Sequence, residues 1–91
     1  MSLAIRQSTR FRRDVKRLLR QGADIARLEA VVEKLVAQAP VDERYRDHAL
    51  IGNWSGCREC HLQPDWLLIY RIEGDELQLV RTGSHAELYG R

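Results

Sequence analysis

Apolar positions recur along this chain with two different periods, and the period changes near residue 57. Phe11, Val15, Leu18 and Leu19 fall at i, i+4, i+7 and i+8, the stripe of a helix over residues 9–20. Ser8 or Thr9 can cap it, because either hydroxyl accepts from an orphan amide of the first turn. Gln21-Gly22 ends it, with Gly22 suited to a left-handed C-cap. Asp24 opens a second helix whose Ile25, Leu28, Val32, Leu35 and Val36 again share a face, stopping before Pro40. Ahead of both, residues 2–7 read as a short strand with Leu3 and Ile5 on one side. Residues 40–56 are polar and rich in turn signals, a long connection of the kind that often carries function. Beyond them the period falls to two. Cys57 to Leu62 alternates, Gln63-Pro64 turns, and Trp66 to Ile72 is continuously apolar, as in a central strand covered on both faces. Gly74-Asp75 turns into a last strand, Glu76 to Thr82, and Ser84 can cap a short helical turn around Ala86 to Leu88.

The predicted order is therefore β-α-α-β-β-β, an α+β fold in one domain spanning residues 1–91. The two N-terminal helices cover one face of a mainly antiparallel four-stranded sheet, and a short helical turn closes the chain. The other face, near the ends of the last three strands, is left for function.

Charge changes this picture at one place. The net charge is only +2, yet residues 1–20 carry seven Lys/Arg against Asp14 alone. Arg10, Arg12, Arg13, Lys16, Arg17 and Arg20 thus make the first helix a basic element suited to a polyanion or an acidic partner. No apolar run approaches the roughly 20 residues that span a bilayer, and the start lacks a secretory h-region. A cytoplasmic protein with reduced thiols and no membrane contact is expected.

Chemistry concentrates between His48 and His85, which holds all three histidines, both cysteines and both tryptophans. Cys57-Arg-Glu-Cys60-His61 matches the C-x-x-C-H of c-type haem attachment. Three features argue against haem or structural zinc. No export signal is seen, the only methionine is Met1, and strand alternation sends Cys57 and Cys60 to opposite faces. No cofactor or metal is expected. The histidines are different. His61 ends one strand and Asp65 begins the next. Arg81 and His85 end the last strand, beside the start of its antiparallel neighbour. His61, Asp65, Arg81 and His85 can therefore meet at one sheet edge, with His48 delivered by the preceding loop. Imidazoles can both take and give a proton near neutral pH, and arginine clamps phosphate oxygens. That set suits metal-free cleavage of an RNA phosphodiester. Trp66 can stack on a base or pack in the core, and Tyr89 can contact base or ribose.

The pattern His48-x-Leu50-x-Gly52-x-Trp54-x-Gly56-x-Arg58-Glu59-x-His61-x-x-Pro64-Asp65-Trp66-Leu-Leu-Ile-Tyr70, followed by Arg81-Thr-Gly-Ser-His85, resembles the YafQ branch of the RelE/ParE toxin superfamily. The likeness extends over essentially the whole chain. It implies the toxin of a bacterial type II toxin-antitoxin system, an mRNA interferase that cuts mRNA in the ribosomal A site. The 2′-hydroxyl attacks without a metal, leaving a 2′,3′-cyclic phosphate or 3′-phosphate and halting translation. Family positions fall on His48, His61, Asp65, Arg81 and His85. By resemblance His85 is the general acid and Arg81 the transition-state clamp. His61 and Asp65 would supply or orient the base, and His48 would assist at the phosphate. The implied partners are the 70S ribosome with its mRNA and a ribbon-helix-helix, DinJ-like antitoxin, with operator DNA reached only through that antitoxin. Two other functions compete: a ParE-like inhibitor of gyrase without a nuclease site, and an inactive toxin serving only as antitoxin-binding corepressor. The intact His/Asp/Arg set weighs against both.

Overall fold

Ser8 and Asp14 show how this chain turns its helical period into a fold. The computed structural model describes residues 2–90. Strand β1 (Ala4–Gln7) leads into helix α1 (Thr9–Arg20), then α2 (Ile25–Val36). Short 3₁₀ turns at Glu43–Tyr45 and Gly52–Trp54 flank a two-residue strand β2 (His48–Ala49). Strands β3 (Arg58–Gln63), β4 (Trp66–Glu73) and β5 (Glu76–Gly83) follow, and helix α3 (His85–Tyr89) closes the described chain. Ser8 Oγ accepts from the Phe11 amide at 2.9 Å, starting α1, and donates to the Val80 carbonyl at 2.7 Å, pinning that start to β5. Gly22 at φ +77° follows α1, as expected of a left-handed terminator. Asp24 sits at the N-cap of α2 without a side-chain capping bond.

The sheet has five strands, ordered β1-β5-β4-β3-β2, not four. The added strand is His48–Ala49, pairing antiparallel with Glu59 and Arg58. Two residues are too few to show alternation, so the connection conceals it. β1 runs parallel to β5 and every other pairing is antiparallel. Both late connections are two-residue turns, at Pro64-Asp65 and Gly74-Asp75. The helices cover one face of the sheet. Phe11, Leu18, Leu28, Val31 and Leu35 pack there on Cys60, Leu62, Trp66, Leu68, Tyr70, Leu77 and Leu79. A smaller cluster on the opposite face joins Leu67, Ile69 and Leu88 with Trp54, Cys57, Val80 and Tyr89. β4 is thus sandwiched over Trp66–Tyr70, while Arg71, Ile72 and Glu73 run out into solvent. Leu3 is buried, but Ile5 and Leu19, assigned to core faces by spacing, are 50% and 58% exposed.

The polar residue buried in α1 is Asp14, 2% exposed. β1 stops at Gln7, and α1 side chains take over the open edge of β5 beyond it. Asp14 Oδ2 accepts from the Thr82 amide (3.1 Å) while Arg17 Nη2 donates to the Thr82 carbonyl (3.2 Å), as a neighbouring strand would. Asp14 also accepts from Arg81 Nε (2.7 Å), Arg81 Nη2 (3.1 Å) and Arg17 Nη1 (2.9 Å). Burial acts to raise the Asp14 carboxyl, but hydrogen bonds from Arg81, Arg17 and the Thr82 amide outweigh it and hold the group below the ordinary carboxylate value. A bulge makes this possible. Ile69 opposes Arg81 while Tyr70 opposes Leu79, so β5 carries one extra residue at Val80. The parity shift puts Thr82 in the helix-facing row, where its Oγ1 accepts from Trp66 Nε1 and donates to the Leu67 carbonyl.

Asp14→Ala leaves Arg81 buried without its partner, and should cost about 3–5 kcal/mol of unfolding free energy. Chemical denaturation of the variant against the parent checks this. Because the folded Asp14 carboxyl lies below its unfolded value, its contribution is full above about pH 4 and is lost as pH falls through the folded value. Acid titration of stability should show that loss in the parent, with a smaller one in Asp14→Asn.

Candidate active site

Strand alternation on β3 and its register with β2 place three groups on the sheet face away from the helices. Glu59 and His61 share that face as i and i+2, and His48 lies across from Glu59 on β2. His85 arrives from the other side. Gly83 ends β5 opposite Leu67, and Ser84 starts α3 with a capping box, its Oγ accepting from the Glu87 amide and its own amide donating to Glu87 Oε1. A Cβ on Gly83 (φ +155°) would come within 2.7 Å of Arg17 Nη2 and 2.9 Å of Glu87 Oε1. The backbone angle at this position favours glycine.

The result is a row of imidazoles. Ring centroids of His48 and His61 are 5.9 Å apart, and those of His61 and His85 are also 5.9 Å apart, each pair nearly perpendicular. Two of the rings are held by carboxylates. His61 Nε2 lies 3.0 Å from Glu59 Oε1, and His85 Nδ1 lies 2.7 Å from Asp65 Oδ1. The Pro64-Asp65 turn fixes Asp65, whose Oδ1 also accepts from the His85 amide at 3.0 Å. Those bonds, the amide first and the ring second, hold the exposed Asp65 carboxyl below its usual value. Glu59 is 5% exposed, and its second oxygen accepts from the Tyr89 hydroxyl. Burial, and then the facing Glu59, push the Tyr89 hydroxyl up, so Tyr89 stays a donor at neutral pH. His48 Nε2 is 3.5 Å from Glu59 Oε1, and its Nδ1 donates to the Arg46 carbonyl at 2.6 Å. Arg46 holds that carbonyl in place from a left-handed conformation, φ +50°.

His48, His61, Asp65 and His85 therefore meet as the sequence predicted, though His48 lies on a strand instead of a loop. Asp65 orients His85, not His61. Arg81 turns the other way: 9% exposed, it spends two of its guanidinium nitrogens on Asp14. Arg17, expected on the basic face, lies within this same knot, its Nε 2.6 Å from Glu87 Oε2. Trp66 is 5% exposed and bonded to Thr82, which leaves no face for a base. Arg10, Arg12, Arg13, Lys16 and Arg20 are exposed along α1. The residue missed by sequence reasoning is Glu59, although its signal was present: it stands two before His61 in a strand, hence on the same face. Ligand atoms of His48, Glu59 and His61 lie within 4.8 Å of one another, close enough to hold a divalent ion.

A family model described as the YafQ toxin of bacterial type II toxin-antitoxin systems matches residues 3–90. The mRNA interferase toxin YafQ of Escherichia coli K12 is 37% identical over 87 residues, which is 94% of this chain and 95% of that protein. YafQ in the E. coli DinJ-YafQ toxin-antitoxin complex superposes with a TM-score of 0.90 at 35% identity, over 99% of this chain and 100% of that one. A metal-bound toxin from Helicobacter pylori superposes with the same TM-score at 44% identity, over 96% and 99% of the two chains.

The cysteines separate as alternation requires, Cys60 among the helix-side core and Cys57 in the opposite cluster. Burial pushes the Cys60 thiol up to about 12, which leaves almost no thiolate at neutral pH. Alkylation of the native protein should modify Cys57 alone, and both cysteines only in denaturant. Mass spectrometry of the adducts distinguishes the two cases.

Proposed function

The chain belongs to the YafQ family of bacterial type II toxins, and from that premise we infer that it is an mRNA interferase cleaving through two histidine–carboxylate pairs. The observation that carries the reading is the placement of Glu59–His61 beside Asp65–His85, with the ring centroids 5.9 Å apart.

Each carboxylate settles which ring nitrogen bears a proton. Glu59 holds the Nε2–H of His61, leaving Nδ1 to take the proton of a ribose 2′-hydroxyl. Asp65 holds the Nδ1–H of His85, leaving Nε2–H of the imidazolium to protonate the departing 5′-oxygen. The 2′-oxygen bonds to phosphorus, the bond from phosphorus to the 5′-oxygen breaks, and a 2′,3′-cyclic phosphate and a 5′-hydroxyl result. His48, held at Nδ1 by the Arg46 carbonyl, contributes positive charge beside the phosphate in its protonated form. Arg81 acts through the strand: its pairing with Asp14 sets the end of β5, and with it His85, making it a positioning residue instead of a clamp on the phosphate. The exposed basic residues of α1 and the family premise support a target carried by the ribosome, mRNA in the A site, with rRNA phosphates as the helix's partner. The E. coli relative is known in complex with DinJ, which supports a ribbon-helix-helix antitoxin for this chain, operator DNA being contacted by that antitoxin. No described helix is long and apolar enough to cross a membrane, and the proposed target places the toxin in the cytoplasm.

Induced expression in growing cells, with mRNA 5′ ends mapped at codon resolution, tests this. Cuts in phase with the reading frame are expected; growth arrest without cuts would point to a ParE-like target. His61→Ala and His85→Ala should each lower the cleavage rate by about 10²–10⁴ while leaving the melting curve and antitoxin binding unchanged. Arrest that survives His85→Ala at full strength would overturn the reading. Because the proposed transesterification needs only proton transfer to and from protein side chains, cleavage should persist in EDTA. Zn²⁺ or Cu²⁺ should suppress it reversibly by occupying His48, Glu59 and His61. Loss of activity in EDTA, restored by a metal, would contradict the metal-free mechanism.

A further inference from the structure

On the helix side of the sheet, behind the histidines, another carboxylate is gripped from two strands. Asp47 comes one residue before β2, so alternation turns its side chain to the face away from His48. There Asp47 Oδ1 accepts from Arg58 Nε at 2.7 Å, and Oδ2 accepts from the Tyr70 hydroxyl. Arg58 lies on β3 and Tyr70 on β4, paired in register. Tyr70 is 2% exposed. Burial, and then the facing Asp47, push its hydroxyl up, so it stays a donor at neutral pH. The clamp supports a weak element. β2 pairs only His48 with Glu59 and Ala49 with Arg58, with one further backbone bond from the Leu50 amide to the Cys57 carbonyl. A ladder that short fixes its own register weakly.

What the clamp controls is the ring that follows. His48 Nδ1 donates to the Arg46 carbonyl at 2.6 Å, and that oxygen belongs to the peptide unit joining Arg46 to the Asp47 nitrogen. The unit is planar, so fixing Asp47 limits where the oxygen can point. Arg46 sits at φ +50° and ψ +48°, a conformation that a residue other than glycine keeps only where its surroundings hold it. Asp47, the residue between Arg46 and His48, supplies that hold. The bond at Nδ1 in turn sets the His48 tautomer and leaves Nε2 3.5 Å from Glu59 Oε1, facing the row. We propose that Asp47 is a positioning residue for His48: clamped by Arg58 and Tyr70 on the reverse face, it holds the Arg46 carbonyl that orients the ring. Its effect on cleavage rests on the nuclease reading above, whereas its hold on the ring does not.

Two readouts test this. Long-range proton–nitrogen NMR correlation, at a pH where the imidazoles are neutral, reports which nitrogen of each histidine bears the proton. The wild type should show the Nδ1–H form at His48. Asp47→Ala should mix the two tautomers at His48 while leaving His61 and His85 as they are. Asp47→Asn, which keeps one acceptor oxygen, should restore much of the Nδ1–H form. Tyr70→Phe removes one grip without leaving a buried hydroxyl unpaired. It should move the His48 signal in the same direction even where Asp47→Ala fails to fold. The second readout is single-turnover cleavage of mRNA on the ribosome. Asp47→Ala should lower the rate at saturating toxin about tenfold or more and leave half-saturation unchanged. In a His48→Ala background the same substitution should cost nothing further, because Asp47 acts through that ring. An unaltered His48 tautomer in Asp47→Ala and Tyr70→Phe, or equal disturbance of all three histidines, would overturn the assignment. So would a wild-type cleavage rate in Asp47→Ala, or its full additional loss in the His48→Ala background. Failure of the wild type to cut mRNA would instead remove the nuclease reading, and the spectra alone would decide the hold on the ring.

Discussion

The buried carboxylate of Asp14 is the constraint on which the active face depends. One side chain on α1 accepts from two arginines and from the backbone of β5, at the point where the sheet has run out of strand. An ionised group in such a place is tolerated only because every one of these donors is present. Thr82, held by that carboxylate, passes the constraint inward through its hydroxyl to Trp66 and the Leu67 carbonyl. Arg17 passes it outward, joining Asp14 and the Thr82 carbonyl to Glu87, which receives the Ser84 amide. His85 follows Ser84. The histidine proposed to deliver a proton is thereby set by a charge buried at the edge of β5.

The active face works by a division of charge. Two carboxylates, one buried and one exposed, hold one nitrogen of His61 and one of His85, and neither touches the other nitrogen of those rings. Glu59 carries the larger load, sharing one oxygen between His61 and His48 and giving the other to Tyr89. Around this balanced centre the excess positive charge lies in two separate places: the exposed face of α1 and a cleft walled by Arg27, Arg44 and Arg46. A polyanion lying across the histidines meets cations beyond them but no fixed cation between them. On the proposed reading the positive charge at the phosphate comes from the imidazoles, which can also give it up.

Much of the fold was legible because periodicity reports burial directly. Helix α1 matches the predicted residues 9–20, and the strands, turns and terminal helical turn fall within a residue or two of expectation. The failures share one cause, which is that periodicity is blind to pairing. His48–Ala49 is too short to alternate, so its strand was read as loop, and the fifth strand of the sheet with it. Arg81 stands at the end of β5 and so reads as part of the histidine edge, but its guanidinium belongs to Asp14, a partner 67 positions away on α1 that local spacing does not show. Trp66 and Arg17 are of types found both inside and outside proteins, and only their partners, Thr82 for one and Asp14 with Glu87 for the other, decide which.

By itself the sequence determined the α+β class, the helix-covered face and the opposite facing of the two cysteines, because these follow from spacing along the chain; the family entered through the resemblance of its motifs to known sequences. It also determined that His48, His61, Asp65 and His85 lie within reach of one another, since tight turns and strand ends leave few alternatives. Tertiary structure alone decided which carboxylate grips which ring, where Arg81 spends its charge, and which arginines face the cleft. These depend on cross-strand register and on hydrogen bonds between residues up to 72 positions apart. Local spacing carries no trace of such distances.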